Sequence, residues 1–159
     1  MRRRTAISLV AASLLFGCAH EHLASPGAPG MAWELTPASG PADEAKLAYG
    51  VPDSDAVELM LTCRPKSGGV TIATFGPSAP ARPVLTVTSG TVSTRLPASA
   101  ENNEAGEGVL ISAIAPVGDP ALRAFARTGK LAVGVRGGHG TLPPADPGVA
   151  GRFLAGCRR

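Results

Sequence analysis

The run Val57–Cys63 alternates without a break. Val57, Leu59, Leu61 and Cys63 fall on one side, and Glu58, Met60 and Thr62 on the other. Successive side chains of an extended strand point to opposite faces, so this period of two marks a half-buried strand. It also sends Cys63 inward with the leucines. The segment before it, Gly50 to Asp55, holds Pro52 and the triplet Asp53-Ser54-Asp55 and reads as a turn. A turn that delivers a two-sided strand commits this part of the chain to a sheet.

The same pattern recurs along the chain. Strands are expected near Trp33–Leu35, Lys46–Tyr49, Val70–Phe75, Val84–Thr88, Thr91–Leu96, Val109–Ala115 and Leu131–Arg136. Breaks rich in Gly and Pro separate them, at Arg64–Gly69, Gly76–Pro83 and Gly137–Pro147, and Pro97–Gly108 reads as a polar loop. Ser89-Gly90, between two β-rich runs, is a hairpin signal. Val109–Ala115 is the most apolar run and reads as a central strand.

Twice the period changes. Asp119-Pro120 and Asp146-Pro147 each offer an N-cap followed by proline at the first helical position. Leu122, Phe125 and Ala126 then share one helix face, and Val149, Phe153 and Cys157 share another. The expected architecture is mainly β. It is an antiparallel sandwich or barrel of seven or eight short strands with two short helices, Asp119–Arg127 and Pro147–Cys157. With one Trp, one Tyr and four Phe in the chain, its core must rest on aliphatic side chains.

The N-terminus has export architecture. Arg2, Arg3 and Arg4 precede a short apolar stretch, Thr5–Phe16, that is too short to span a bilayer with ease. Leu15-Phe16-Gly17-Cys18 resembles the lipobox of bacterial lipoproteins, with Phe16 departing from the small or β-branched residue usual there. The resemblance implies cleavage after residue 17 and lipidation of Cys18. Ala19 in the second mature position implies sorting to the outer membrane. Three cysteines in an exported chain leave an odd thiol, which lipidation of Cys18 accounts for. Cys63 and Cys157 then remain to form one disulfide in an oxidising envelope. The expected division is 1–17 signal peptide, 18–30 lipidated anchor and tether, and 31–159 a single domain. The tether, Ala19–Gly30, is made of small residues, prolines and glycines that bury too little surface to fold.

Removing the three arginines brings the 15 basic residues down to match the 12 acidic ones. No bulk charge then favours nucleic acid or an anionic lipid surface. No Gly-x-Ser-x-Gly elbow, Walker loop, His-Glu-x-x-His or Cys-x-x-Cys occurs. No cofactor or metal is implied. His20-Glu21-His22 offers metal-ligand chemistry but sits in a tether with too few fixed ligands. His139, flanked by glycines, is the residue a histidine-based triad would have to use, although a surface turn explains it more simply. Asp53 and Asp55 offer closely spaced oxygens for Ca²⁺ but lack the further ligands of an EF-hand loop.

The folded part resembles small bacterial envelope lipoproteins of unknown function. Its carriers are Lys46–Pro52, Asp55–Cys63, the Asp119-Pro120 helix and Phe153–Cys157. A weaker likeness is to the periplasmic inhibitors of C-type lysozyme, carried by Ser89-Gly90-Thr91 as a match to their inhibitory loop. The aromatic residues expected near that loop are missing. The chain is therefore expected to be a non-enzymatic, membrane-anchored module on the periplasmic face of the outer membrane, binding an envelope protein or cell-wall component. The alternatives are a cell-wall-directed hydrolase using His139 and a lysozyme-inhibitor-like protein.

Overall fold

A computed structural model describes residues 30–103, 108–135 and 140–158. One sheet of nine antiparallel strands curls into a half-barrel, and two short helices complete the fold. The strands are β1 (Ala32–Thr36), β2 (Ala45–Gly50), β3 (Val57–Cys63), β4 (Gly69–Gly76), β5 (Val84–Ser89), β6 (Val92–Asn102), β7 (Val109–Pro116), β8 (Ala132–Val135) and β9 (Gly140–Thr141). The helices are α1 (Pro120–Thr128) and α2 (Pro147–Cys157). In space the strands run β1-β2-β3-β4-β7-β6-β5-β8-β9. The first four form a meander. The β5–β7 meander then turns back so that β7 lies beside β4, which makes a Greek key of β4 to β7.

The mainly β class and both helices are as expected from the sequence. Two elements differ. Thr141 and Gly140 pair with Ala132 and Val133 to make a ninth strand, inside a segment read as loop. And β6 continues past Pro97 to Asn102, through residues also read as loop. The reason lies in a change of partner. Val92–Pro97 pairs with β5, whereas Ala98–Asn102 pairs with β7. Pro97 sits at the corner, where the missing N–H costs least, and the Ala98 N–H goes to the Pro83 carbonyl at 3.0 Å. A strand that hands over from one set of neighbours to another is how a sheet bends.

The hairpin between β5 and β6 is one residue out of the expected register. Its two loop residues are Gly90 and Thr91, with Ser89 paired to Val92. Gly90 has φ +60° and Thr91 does not, as in a type II′ turn, so glycine is needed at the first loop position.

The core lies between the sheet and the helices. Leu47, Leu59, Leu61, Val70, Ile72, Leu85 and Ile111 are buried on its strand side, and Leu122, Phe125, Phe153 and Leu154 on its helix side. Aliphatic side chains dominate, and three aromatic residues cluster among them. The Trp33 ring lies 5.4 Å from that of Tyr49 and 5.6 Å from that of Phe125, tilted to both. Three rings from β1, β2 and α1 thus knit one end of the sheet to a helix.

Helix α1 begins at Asp119, whose carboxylate accepts from the N–H groups of Ala121 (2.8 Å) and Leu122 (3.2 Å) and from the Thr94 hydroxyl (3.1 Å). The cap therefore also fixes the helix to β6. It ends at Gly129, whose φ is +67° and whose missing Cβ makes room for the Ala145 carbonyl. Helix α2 spans the expected residues, with Asp146 capping Val149 at 3.0 Å.

Cys63 and Cys157 form a disulfide across 94 positions of sequence, with Cα atoms 5.7 Å apart. The β3–β4 turn reinforces the same junction. The Lys66 and Gly68 N–H groups donate to the carbonyls of Gly156 (3.2 Å) and Cys157 (2.9 Å), satisfying the end of α2.

Candidate functional site

An open groove follows from the sheet order. Among the described residues strand β1 is terminal, paired with β2 on one side and with no strand on the other. Its inward side chains Trp33 and Leu35 are half-buried, because α2 covers this end of the sheet incompletely. Between β1 and α2 runs a groove of about 740 Å³. Trp33, Leu35 and Ala38 form one wall, and Val149, Phe153 and Gly156 the other, with Pro65 and Ala45 beside the disulfide. The sequence pattern put Val149 with Phe153 and Cys157 against the core. In the structure Phe153 and Cys157 are buried, while Val149 is half-exposed and lines the groove. The Trp33 indole N–H donates to the Pro143 carbonyl at 2.8 Å, which fixes that wall. Arg152 stands on the α2 side, exposed, and makes no ion pair or hydrogen bond among the described residues.

A second, smaller concavity of about 390 Å³ lies on the opposite face of β1–β3. Ala32, Ala48 and Gly50 make its floor, so low side chains leave the space. Glu34, Lys46, Asp53 and Asp55 stand around it. Asp53 has φ +56°, and the turn is closed by Ser54, whose hydroxyl donates to the Val51 carbonyl (2.9 Å) and accepts from the Ala56 N–H (3.2 Å). That is the Ser-type turn expected from Asp53-Ser54-Asp55. Among the described residues, no three His, Cys, Asp or Glu side chains are placed to share a metal ion.

A register slip explains a third feature. Tyr49 pairs with Leu59 but Gly50 pairs with Val57, so Glu58 is the extra residue of a β-bulge. The strict alternation of Val57–Cys63 breaks there. Val57 leaves the core face and lines the outer concavity with Gly50. Glu58, placed by the sequence pattern with Met60 and Thr62, instead approaches β9. A Cβ built on Gly140 would lie 3.9 Å from its Oε1. Partial burial there raises its pKa above the usual 4.5 by penalising the charged form.

No protein-family model, curated protein or solved structure matches this chain.

Of the residues singled out in the sequence, His139, Cys18 and the pair His20 and His22 lie outside the described residues. Asp53 and Asp55 come together with Glu34 and Lys46. Ser89 is buried, 2% exposed, and its hydroxyl lies 3.2 Å from that of Thr128 at the end of α1. It faces the core and is not presented on the hairpin loop. The groove and Glu58 were missed. A groove beside an edge strand depends on strand order, which no local pattern encodes. The bulge had a faint signal in Gly50, whose Cβ would collide with the backbone of Ala56 and Val57.

Proposed function

We propose that this chain is a non-enzymatic binding module, held by a lipid on Cys18 at the periplasmic face of the outer membrane, where it engages another envelope component. The anchor rests on Arg2–Arg4, the apolar stretch after them and the Leu15–Cys18 lipobox-like run. No helix among the described residues is long and apolar enough to cross a membrane. The binding role rests on one observation: the apolar groove of about 740 Å³ along the unpaired edge of β1. Its size and apolar lining are those of a recognition site.

Two measurements test the reading. Palmitate labelling should mark the wild-type chain and not the Cys18→Ala variant. Cross-linking of the anchored protein in intact cells should give a dominant adduct with one envelope component. Unlabelled wild-type protein overturns the anchor, and a full set of cross-linkers that yields no adduct overturns the binding role.

A second reading has one observation in its favour. Glu58, with its raised pKa, lies against Gly140, the residue after His139. A carboxylic acid so tuned is suited to general acid–base chemistry, as a cell-wall hydrolase would need. This reading requires murein cleavage that disappears in both Glu58→Gln and His139→Ala. The inhibitor-like reading gains nothing from Ser89, because a buried hydroxyl cannot enter a partner's active site.

A further inference from the structure

We infer that the groove beside β1 takes an extended peptide from a partner protein, which adds to the sheet as a tenth strand and sets a carboxylate against Arg152. The inference rests on the binding-module reading above and names its ligand class.

The first support is the backbone. An edge strand presents N–H and C=O groups that no neighbour uses, and these are matched by another extended chain. β1 runs five residues, Ala32–Thr36, with no proline inside it and Pro37 directly after it. The docking register is thus limited to about five residues, roughly 17 Å of strand.

The second support is the groove itself. Alternate side chains of an added strand fall on the α2 side, where Trp33, Leu35, Val149 and Phe153 form an apolar trough. The edge supplies affinity through main-chain hydrogen bonds, and the trough selects apolar residues at every second position. A groove flanked by a free strand on one side and a helix on the other fits an extended peptide better than a compact small molecule.

Charge narrows the choice further. Arg152 lines the groove with Val149 and Phe153 and makes no ion pair or hydrogen bond among the described residues, its guanidinium standing beside Gly148 near the Asp146 carboxylate without bonding to it. An acidic residue in the peptide would supply a partner. Glu34 argues against a second copy of this chain as the occupant. It is the middle residue of β1, so symmetric antiparallel pairing of two β1 strands sets Glu34 opposite Glu34. Like charges directly opposed across strands are destabilising.

Trp33 makes the test direct, because it is the chain's one tryptophan and it lines the groove. The probe is a blocked hexapeptide, acetyl-Thr-Val-Thr-Val-Thr-Asp-amide, in which both valines and the aspartate fall on one face, titrated into the mature chain while Trp33 emission is recorded. The expected result is a saturable change in emission. Methylating two alternate peptide nitrogens of the probe should weaken binding by about tenfold or more, since each removes a main-chain hydrogen bond. Arg152→Glu should weaken binding of the acidic probe by about two- to fivefold and favour the same peptide with Lys in place of Asp.

The inference is overturned by an unchanged Trp33 signal at millimolar peptide, or by equal binding of the methylated probe. It is also overturned if sedimentation shows that β1 is covered by a second copy. The same holds if removal of residues 19–29 is needed before the probe binds, which would make the chain's own tether the occupant. A cross-linked envelope adduct that persists unchanged in Arg152→Glu and in Leu35→Asp would leave the binding role standing while this groove is excluded from it.

Discussion

The two ends of the curled sheet are held to their helices by different means. At the β1–β4 end, α2 is joined to β3 by the Cys63–Cys157 bond, and the β3–β4 turn donates two N–H groups to the last carbonyls of α2. At the β5–β9 end no covalent link exists among the described residues. There α1 is clamped by polar contacts at its two ends, Asp119 with Thr94 and Thr128 with Ser89. The stapled end is also the open one, since the groove runs between β1 and α2. A helix that is crosslinked to the sheet can form the wall of an open groove without covering it fully. A helix that leaves part of its apolar face exposed forgoes burial energy, and the disulfide offsets that loss.

The largest break in this contrast is removal of the staple. The double variant Cys63→Ala and Cys157→Ala should lose about 2–4 kcal/mol of stability, because the unfolded chain regains the freedom of a loop of 94 positions. Hydrogen exchange should show the loss concentrated in α2 and the β3–β4 turn. An unchanged denaturation midpoint would mean that packing of Phe153 and Leu154 alone holds α2.

A smaller effect is expected at the other end. Asp119→Ala removes the acceptor of two helix N–H groups and of the Thr94 hydroxyl, and should cost about 1–2 kcal/mol. Exchange should rise in α1 and the first half of β6 while α2 stays protected. Equal loosening of both helices would show that the two ends do not open separately.

The smallest effect sharpens the comparison through pH. Burial raises the Glu58 pKa above 4.5, so the folded state binds the proton more tightly than the unfolded state. The resulting cost to stability is fully present at neutral pH and is relieved as pH falls through the folded pKa. Glu58→Gln should therefore melt slightly higher than wild type at pH 7, and the gap should close below about pH 4.5. A wild type that is the more stable at pH 7 would contradict the burial of this carboxyl.

Much of this was legible locally. Val57–Cys63 declared a strand by its alternation, and Asp119-Pro120 and Asp146-Pro147 declared helix starts by cap chemistry. What misled was local punctuation read without its context. Pro97 looked like the end of a strand, yet it marks a corner that β6 turns while changing partners. The bulge at Glu58 was invisible because it depends on what Tyr49 and Gly50 pair with. Ser89 looked like a loop residue, and one step of register turned it into a buried contact with α1.

By itself the sequence determined the repeating unit: short two-sided strands, two capped helices, and three cysteines of which the lipobox resemblance sets Cys18 apart from Cys63 and Cys157. Periodicity, caps and thiol count are properties of neighbours along the chain. The tertiary structure alone decided that β1 ends the sheet, that β7 returns beside β4, and that α2 leaves a groove open at Trp33. Those depend on which distant segments win a shared face, a competition settled by packing over the whole domain.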